Sequence, residues 1–352
     1  MQKSIHLFER LPRIDASPAG ADSLAADDGV VFPVRSKPLV GLIRNRRSYH
    51  NGDERNQRGA VPASATEDVI VRSPGLRSEL TEILAEFAAL RVDCVAIDGG
   101  DGTVRDVLSC GAAIFGESWP TVIILPHGKT NALALDLGIP TDWTLEEALA
   151  AIHNGNIKRR QPLVMTQWDN AEAQVRGFIM GAGVFNHCIA LGQRSHDLGA
   201  FNAAVVGVTT GWSVLQAIFG GKGNVWRRGT RMRVRSADGS EVEHLGGLPA
   251  NERYLLFAST LENFPAGLNP FRGISNPLRV AMLDNPGRGL LLRIAGLMRG
   301  TASAATKRRG AHAFGSEGLE LDLSESFILD GEAFPAGQYR LSVGAKLRFV
   351  VP

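Results

Sequence analysis

Apolar positions in the first half of the chain fall into two textures that alternate. Short unbroken runs, Leu39-Val40-Gly41-Leu42-Ile43, Val69-Ile70-Val71, Cys94-Val95-Ala96-Ile97 and Thr121 to Leu125, have the length and the β-branched content of buried strands. Between them the apolar residues are spaced for helices: Leu76, Leu80, Ile83, Leu84 and Phe87 share one face, and Val104, Val107, Leu108 and Gly111 share another. Strand alternating with helix predicts a parallel sheet joined by crossover helices. Thr103 with Asp106, and Thr144 with Glu147, have capping-box spacing and predict two helix starts. From about Pro162 the texture changes. Phe178 to Met180, Met232 to Val234, Tyr254 to Phe257, Leu278 to Val280, Leu319 to Leu323, Phe327 to Leu329 and Leu347 to Val351 are short segments parted by turn residues, which predicts a second, mostly β domain.

Two stretches fit neither texture. Residues 1 to about 37 are rich in Ala, Ser, Asp and Pro without a period and read as a loosely ordered extension. From Leu198 to Gly221 there is no charged side chain, but Asn202, Thr209, Thr210, Ser213 and Gln216 dilute the run. A half-buried or lipid-facing helix is expected there rather than a membrane span. The predicted domains are therefore an extension over 1–37, an α/β domain over 38–160 and a β-rich domain over 161–352.

Charge narrows the class of partner. Lys and Arg number 38 against 36 Asp and Glu, so no bulk field draws the chain to nucleic acid. Cys94, Cys110 and Cys188 show no metal-binding or disulfide spacing, and Met1 to Arg35 holds no continuous apolar run. A cytoplasmic protein is expected.

The chemistry-bearing residues lie at strand ends. Asp98-Gly99-Gly100-Asp101-Gly102-Thr103 follows the third apolar run and opens a helical pattern. Adjacent glycines let backbone N–H groups approach phosphate oxygens, and a helix start adds partial positive charge. Asp101 would be repelled by bare phosphate, so its presence suggests a carboxylate acting through Mg²⁺ or accepting a proton from a hydroxyl. A second candidate loop, Pro126-His127-Gly128-Lys129-Thr130-Asn131, follows the next strand and precedes a short helix that Gly138 and Pro140 end. Lys129 could neutralise a phosphate, and Thr130 or Asn131 could cap the helix. On adjacent strands of one parallel sheet the two loops share the carboxyl edge, where ligands bind.

Together with Leu329-Asp330-Gly331-Glu332, these two blocks resemble the signature set of the diacylglycerol kinase catalytic family, which includes sphingosine and ceramide kinases and is related to NAD kinases. The resemblance extends loosely from about Leu39 to Pro352. It implies a doubly wound α/β nucleotide-binding domain, a C-terminal β-sandwich-like domain, and transfer of the γ-phosphoryl group of ATP, with Mg²⁺, to a hydroxyl of a membrane lipid. On this resemblance Asn45, Gly99, Gly100, Gly102, Thr103, Gly128, Lys129, Thr130 and Asn131 hold the nucleotide, Asp101 lies near the γ-phosphate, and Asp330 and Glu332 face the acceptor, with Glu332 as general base. The family commonly reads Pro-x-Gly-Thr-x-Asn-Asp where this chain has Gly128-Lys129-Thr130-Asn131-Ala132, which displaces the threonine and drops the acid. Diacylglycerol and ceramide or a sphingoid base remain alternative acceptors. A soluble NAD-kinase-like enzyme and an inactive lipid-binding module are rival readings.

Other features carry less. The histidines, His127 and His312 among them, show no metal-ligand spacing and are expected at the surface or at caps. Lys222, Arg227, Arg228, Arg231, Arg233 and Arg235 form either a solvated strand face or a patch for anionic lipid headgroups, and Lys307-Arg308-Arg309 could extend it. Peripheral contact with an anionic membrane is the expected partnership.

Overall fold

The computed structural model describes residues 35, 37–48, 61, 67–186, 225–246, 248–264, 268–285, 287–301 and 303–352. The expected extension (apart from Arg35 and Lys37), the uncharged stretch Leu198 to Gly221, Cys188 and Lys222 lie outside these residues. The chain divides into two compact units. One ends at Arg160 but regains Ala345–Pro352, and the other comprises Gln161–Gly344.

The first unit is built on a six-stranded sheet in the order β2-β1-β3-β4-β18-β5. Its strands are β1 (Val40–Arg44), β2 (Val69–Arg72), β3 (Cys94–Gly99), β4 (Thr121–Pro126), β5 (Ile157–Arg160) and β18 (Leu347–Val350). β1 to β4 pair in parallel, as the alternating texture predicts. Every residue of β3 is buried, as a strand covered on both faces must be.

Helix α1 (Glu79–Ala89) links β2 to β3, and α2 (Asp101–Phe115) links β3 to β4. Both connections step the same way across the sheet, so right-handed crossovers put both helices on one face, where they pack together. Gly41 is needed at that packing. A β-carbon there would stand 2.4 Å from the Phe87 ring, so the bare strand lets α1 settle on β1. Burying Phe87 completely contributes about 1.5–3 kcal/mol. Leu76 is 64% exposed and precedes α1, so the helical face starts at Leu80 and not four residues earlier.

Two expectations about helix starts had different outcomes. Thr144 caps α4 (Leu145–His153) with the full capping box, its hydroxyl accepting from Glu147 N and the Glu147 carboxylate accepting from Thr144 N. Thr103 does not cap α2. The helix begins three residues earlier than that cap would start it, with Gly100 as N-cap and its carbonyl accepting from Thr103 N and Val104 N.

The second unit holds two antiparallel six-stranded sheets. One runs β10 (Glu252–Arg253), β9 (Thr230–Ser236), β14 (Leu319–Leu323), β17 (Gly337–Val343), β6 (Leu163–Gln167), β7 (Gln174–Gly177). The other runs β13 (Ala311–Ser316), β12 (Leu278–Leu283), β11 (Leu255–Ser259), β8 (Ile179–Gly183), β15 (Phe327–Leu329), β16 (Glu332–Phe334). Leu319, Leu321 and Leu323 alternate inward along β14, as one buried face requires. Phe327 of one sheet meets Tyr339 of the other edge-on, with ring centroids 5.1 Å apart, and stacks on Phe334 at 5.4 Å. The α/β plus β-rich fold expected from the sequence is present.

The domain expectation is corrected at its end. Instead of completing the β-rich unit, β18 runs parallel to β4 and antiparallel to β5. Phe349 and Val350 are fully buried there, so the strand closes what would be an apolar edge of the first sheet. A short apolar run reveals a strand but not which sheet receives it.

Candidate functional site

In-register pairing sets the geometry of the site. Arg44 lies opposite Asp98, and Asp98 opposite Leu125, so β1, β3 and β4 all end at one edge. The strand order reverses between β1 and β3, and the loops leaving these strands flank that crevice.

The two glycine loops lock together backbone to backbone. A β-carbon on Gly128 would stand 2.4 Å from Gly100 Cα, and one on Gly100 would stand 2.8 Å from Gly128 Cα. Neither position admits any side chain without moving the other loop. Gly99 is bare for another reason, since the Thr103 hydroxyl occupies the place of its β-carbon. That hydroxyl accepts from Asn45 Nδ2 at 2.9 Å, which ties the loop after β1 to the first turn of α2.

Asp101 supplies a further lock between the loops. Its carboxylate accepts from Ala132 N at 2.9 Å and Leu133 N at 3.3 Å, capping α3 (Ala132–Leu137) from another segment. Burial pushes its carboxyl above the usual range, against the lowering effect of these amides and of Arg105. Asn131 is the residue preceding α3, at φ 49°, and turns its side chain inward. Its Oδ1 accepts from Gly128 N, and its Nδ2 donates to Gly128 O and Pro126 O. Asn131 therefore shapes the loop with its amide. The expectation that Thr130 or Asn131 caps the helix with its side chain is replaced by Asp101.

The resulting cleft of about 400 Å³ is lined by Asn45, Arg47, Gly100, Gly102, Thr103, Gly128 and Lys129, with Ser48, Arg105 and Asp106. Six of the residues expected to hold nucleotide thus come together. Gly99, Thr130 and Asn131 do not line it. Arg47 and Lys129 are exposed cations, and the N-cap of α2, a fifteen-residue helix, is Gly100, which has no side chain to cap it. The cleft therefore combines backbone amides with cations, which suits phosphate oxygens. Gly102 leaves room inside it, since a β-carbon there would meet nothing closer than Arg105 Nη2 at 3.7 Å. A larger hollow of about 610 Å³ lies at the amino ends of β3 and β4, around Cys94, Trp119 and Thr121, away from every candidate residue.

Beneath the loops lies a buried network absent from the sequence reading. Asp98, fully buried, accepts from Arg44 Nε at 3.0 Å and lies 2.5 Å from His127 Nδ1. His127 is buried, contrary to the surface expectation. Its neighbours in sequence gave one signal: Asp98 and His127 each follow an apolar run at the end of an adjacent strand. Asp106, expected to cap with Thr103, instead joins Arg105 at 2.9 Å and Arg77 at 2.7 Å.

In the β-rich unit, Asp330 and Gly331 form the two-residue turn between β15 and β16. Both have positive φ, 45° and 79°, as a type I′ hairpin turn requires. The Asp330 carboxylate accepts from Phe178 N at 3.0 Å and Ile179 N at 2.9 Å. Asp330, expected to face the acceptor, holds the start of β8 through these bonds. Glu332 opens β16 and is half-buried. On β9, Arg231 and Arg233 point outward, while Arg233 and Arg235 lie 3.2 and 3.8 Å from Glu241. Across the sheet Arg233 faces Asp322 and Arg235 faces Glu320, so acids interleave this cluster. Among the described residues no group of three potential ligands could hold a metal ion, and no helix is long and apolar enough to cross a membrane.

The diacylglycerol kinase catalytic domain model matches residues 40–163. A Yersinia enterocolitica protein named "Probable lipid kinase YegS-like" is 34% identical over 105 residues, 29% of this chain and 34% of that protein. A Citrobacter koseri protein of the same name is 30% identical over 119 residues, 34% of this chain and 39% of that one. The matched stretch is thus little more than a third of the length of these relatives. A solved diacylglycerol kinase of Bacillus anthracis is similar in fold over 90% of this chain and 98% of its own, with a TM-score of 0.60 at 17% identity.

Proposed function

With a diacylglycerol kinase catalytic domain over residues 40–163 as the premise, we propose that this protein transfers the γ-phosphoryl group of ATP to a hydroxyl of a membrane lipid. The observation that carries the reading is the pair of interlocked glycine loops. They leave a cleft of backbone amides and cations at the carboxyl edge of the sheet, beside its topological switch point.

Phosphoryl transfer asks mainly for positioning and for neutralised charge. The amides of Gly100 to Gly102 and the side chains of Lys129 and Arg47 would receive the triphosphate. Asp101 acts as a positioning residue, holding the second loop against the first. The acceptor oxygen attacks the γ-phosphorus, the bond to the bridging oxygen breaks, ADP leaves, and the acceptor proton passes to a carboxylate. We assign that carboxylate to Glu332. Mg²⁺ typically binds chiefly through nucleotide phosphates with one or two carboxylates, so the cation would enter with ATP. It would supply charge neutralisation at the phosphates. The acceptor is diacylglycerol, or ceramide or a sphingoid base, met at an anionic membrane surface.

The test is labelled ATP offered with diacylglycerol, ceramide, a sphingoid base, monoacylglycerol or NAD⁺. A phosphorylated lipid, lost in Glu332→Gln, supports the reading and names the acceptor. Phosphorylated NAD⁺ would instead make this a soluble kinase of the NAD type. Lipid binding without ATP turnover would make it an inactive module.

A further inference from the structure

Residues 285–316 contain no aspartate or glutamate, yet carry six cations: Arg288, Arg293, Arg299, Lys307, Arg308 and Arg309. All six are exposed. Among the described residues none of them pairs with a carboxylate, in contrast to Arg233 and Arg235 with their Glu241. The whole chain has a net charge of only +2, so this is a local concentration of charge.

Its geometry gathers the charge further. The segment forms three one-turn helices, α5 (Arg288–Leu291), α6 (Ile294–Leu297) and α7 (Ala304–Lys307). Leu290 and Leu291 are buried in a cluster with Tyr254, Leu283 and Ala311, which pins α5 to the sheet. Arg293 Nη1 reaches the Gly289 carbonyl at 3.4 Å, and Arg309 Nη1 lies 3.2 Å from where a β-carbon on Gly289 would stand. Two guanidinium groups from separate turns therefore crowd one glycine without a counter-charge. Beside them Leu292 is turned out to solvent, 67% exposed, the highest value among the exposed large hydrophobic residues described.

We infer that this face, with Leu292 at its centre, is the surface by which the protein docks on an anionic bilayer. Cations without acids and an outward leucine match the two attractions such a surface offers, charge at the headgroups and apolar burial at the acyl boundary. The arginines of β9, interleaved with acids, lack that complementarity. The inference rests on the lipid-kinase reading for its biological sense, but its test does not depend on turnover.

Sedimentation with vesicles of phosphatidylcholine, alone or mixed with phosphatidylglycerol, tests it. Each cation near the surface is worth about 1 kcal/mol, or about five-fold in partitioning, so the double variant Arg293→Ala/Arg309→Ala should bind mixed vesicles about thirty-fold more weakly. Leu292→Ser should weaken binding about ten-fold on mixed vesicles. Arg233→Ala/Arg235→Ala should bind as the parent does. All variants should phosphorylate, at the parent's rate, a dispersed short-chain form of the lipid acceptor that the panel identifies. A parent that ignores phosphatidylglycerol, or a double variant that partitions like the parent, overturns the surface and leaves the kinase reading standing. Failure on the dispersed substrate with intact vesicle binding would do the reverse.

Discussion

Gly128→Ala puts the interlocked loops to a quantitative test. The added methyl would stand 2.4 Å from Gly100 Cα and 2.8 Å from Asn131 Oδ1. Carbon atoms pack at about 3.5–4.0 Å, so the loops must part by about 1 Å. Overpacking of this kind costs about 1–3 kcal/mol. In a chain of this size each kcal/mol lowers the melting temperature by about 2–4 °C. A displacement of about 1 Å in groups that position a substrate costs about a hundred-fold in rate. Gly102→Ala is the contrasting change, because its methyl meets only Arg105 Nη2 at 3.7 Å, an ordinary contact. It should leave the melting temperature unchanged and still weaken ATP binding, since the methyl projects where phosphate would approach. Calorimetric titration of ATP and thermal unfolding read both quantities on each variant. If Gly128→Ala melts and binds like the parent, the loops are not interlocked as described. If Gly102→Ala binds ATP like the parent, the triphosphate does not use this cradle.

Further outcomes follow from four single carboxylates. Because burial pushes the Asp101 carboxyl up, the folded protein holds that proton more tightly than the unfolded chain. The stability this gives is greatest below the unfolded value of about 3.9 and declines as pH rises from there toward the raised folded value. Asp101→Asn should lack that decline, so denaturation curves collected across pH should converge with the parent's in acid and separate toward neutral; parallel curves would contradict the assignment. Asp330→Ala strands the amides of Phe178 and Ile179, at about 1–3 kcal/mol for each unsatisfied group, whereas Glu332→Gln should unfold at the parent's denaturant midpoint while losing lipid phosphorylation. Asp284→Ala leaves Arg253 buried without its partner and should destabilise the protein by about 3–5 kcal/mol, visible as a lowered midpoint in urea.

What could be read in advance was whatever local pattern decides. Leu319 to Leu323 and Phe327 to Leu329 begin and end where the apolar pattern says, and the Thr144 box caps its helix as spaced. The glycine loops were legible because they pair unusual composition with strand ends. Interactions made across the chain were not. β5 reads Ile-Lys-Arg-Arg, which has no strand signature, and it is a strand because β18 lies beside it. Asp101 finds its partners thirty-one residues away, and Asp330 finds Phe178 after a separation of 152, so neither role can be seen from spacing. Of the cationic face around Leu292 only Lys307-Arg308-Arg309 stood out in the sequence, and its exposed leucine depends on Leu290 and Leu291 turning inward.

The place of β18 bears on how the molecule is made. A ribosome releases β1 to β5 long before Leu347, and throughout that interval β4 and β5 lack the strand that stands between them. The first sheet therefore lacks this strand, with an apolar edge uncovered, until the chain has passed through the 184 residues Gln161–Gly344 of the other unit. A fragment cut at Arg160 would be held at that stage permanently, so the unit that carries the matched stretch 40–163 needs the tail of the chain to become a finished sheet.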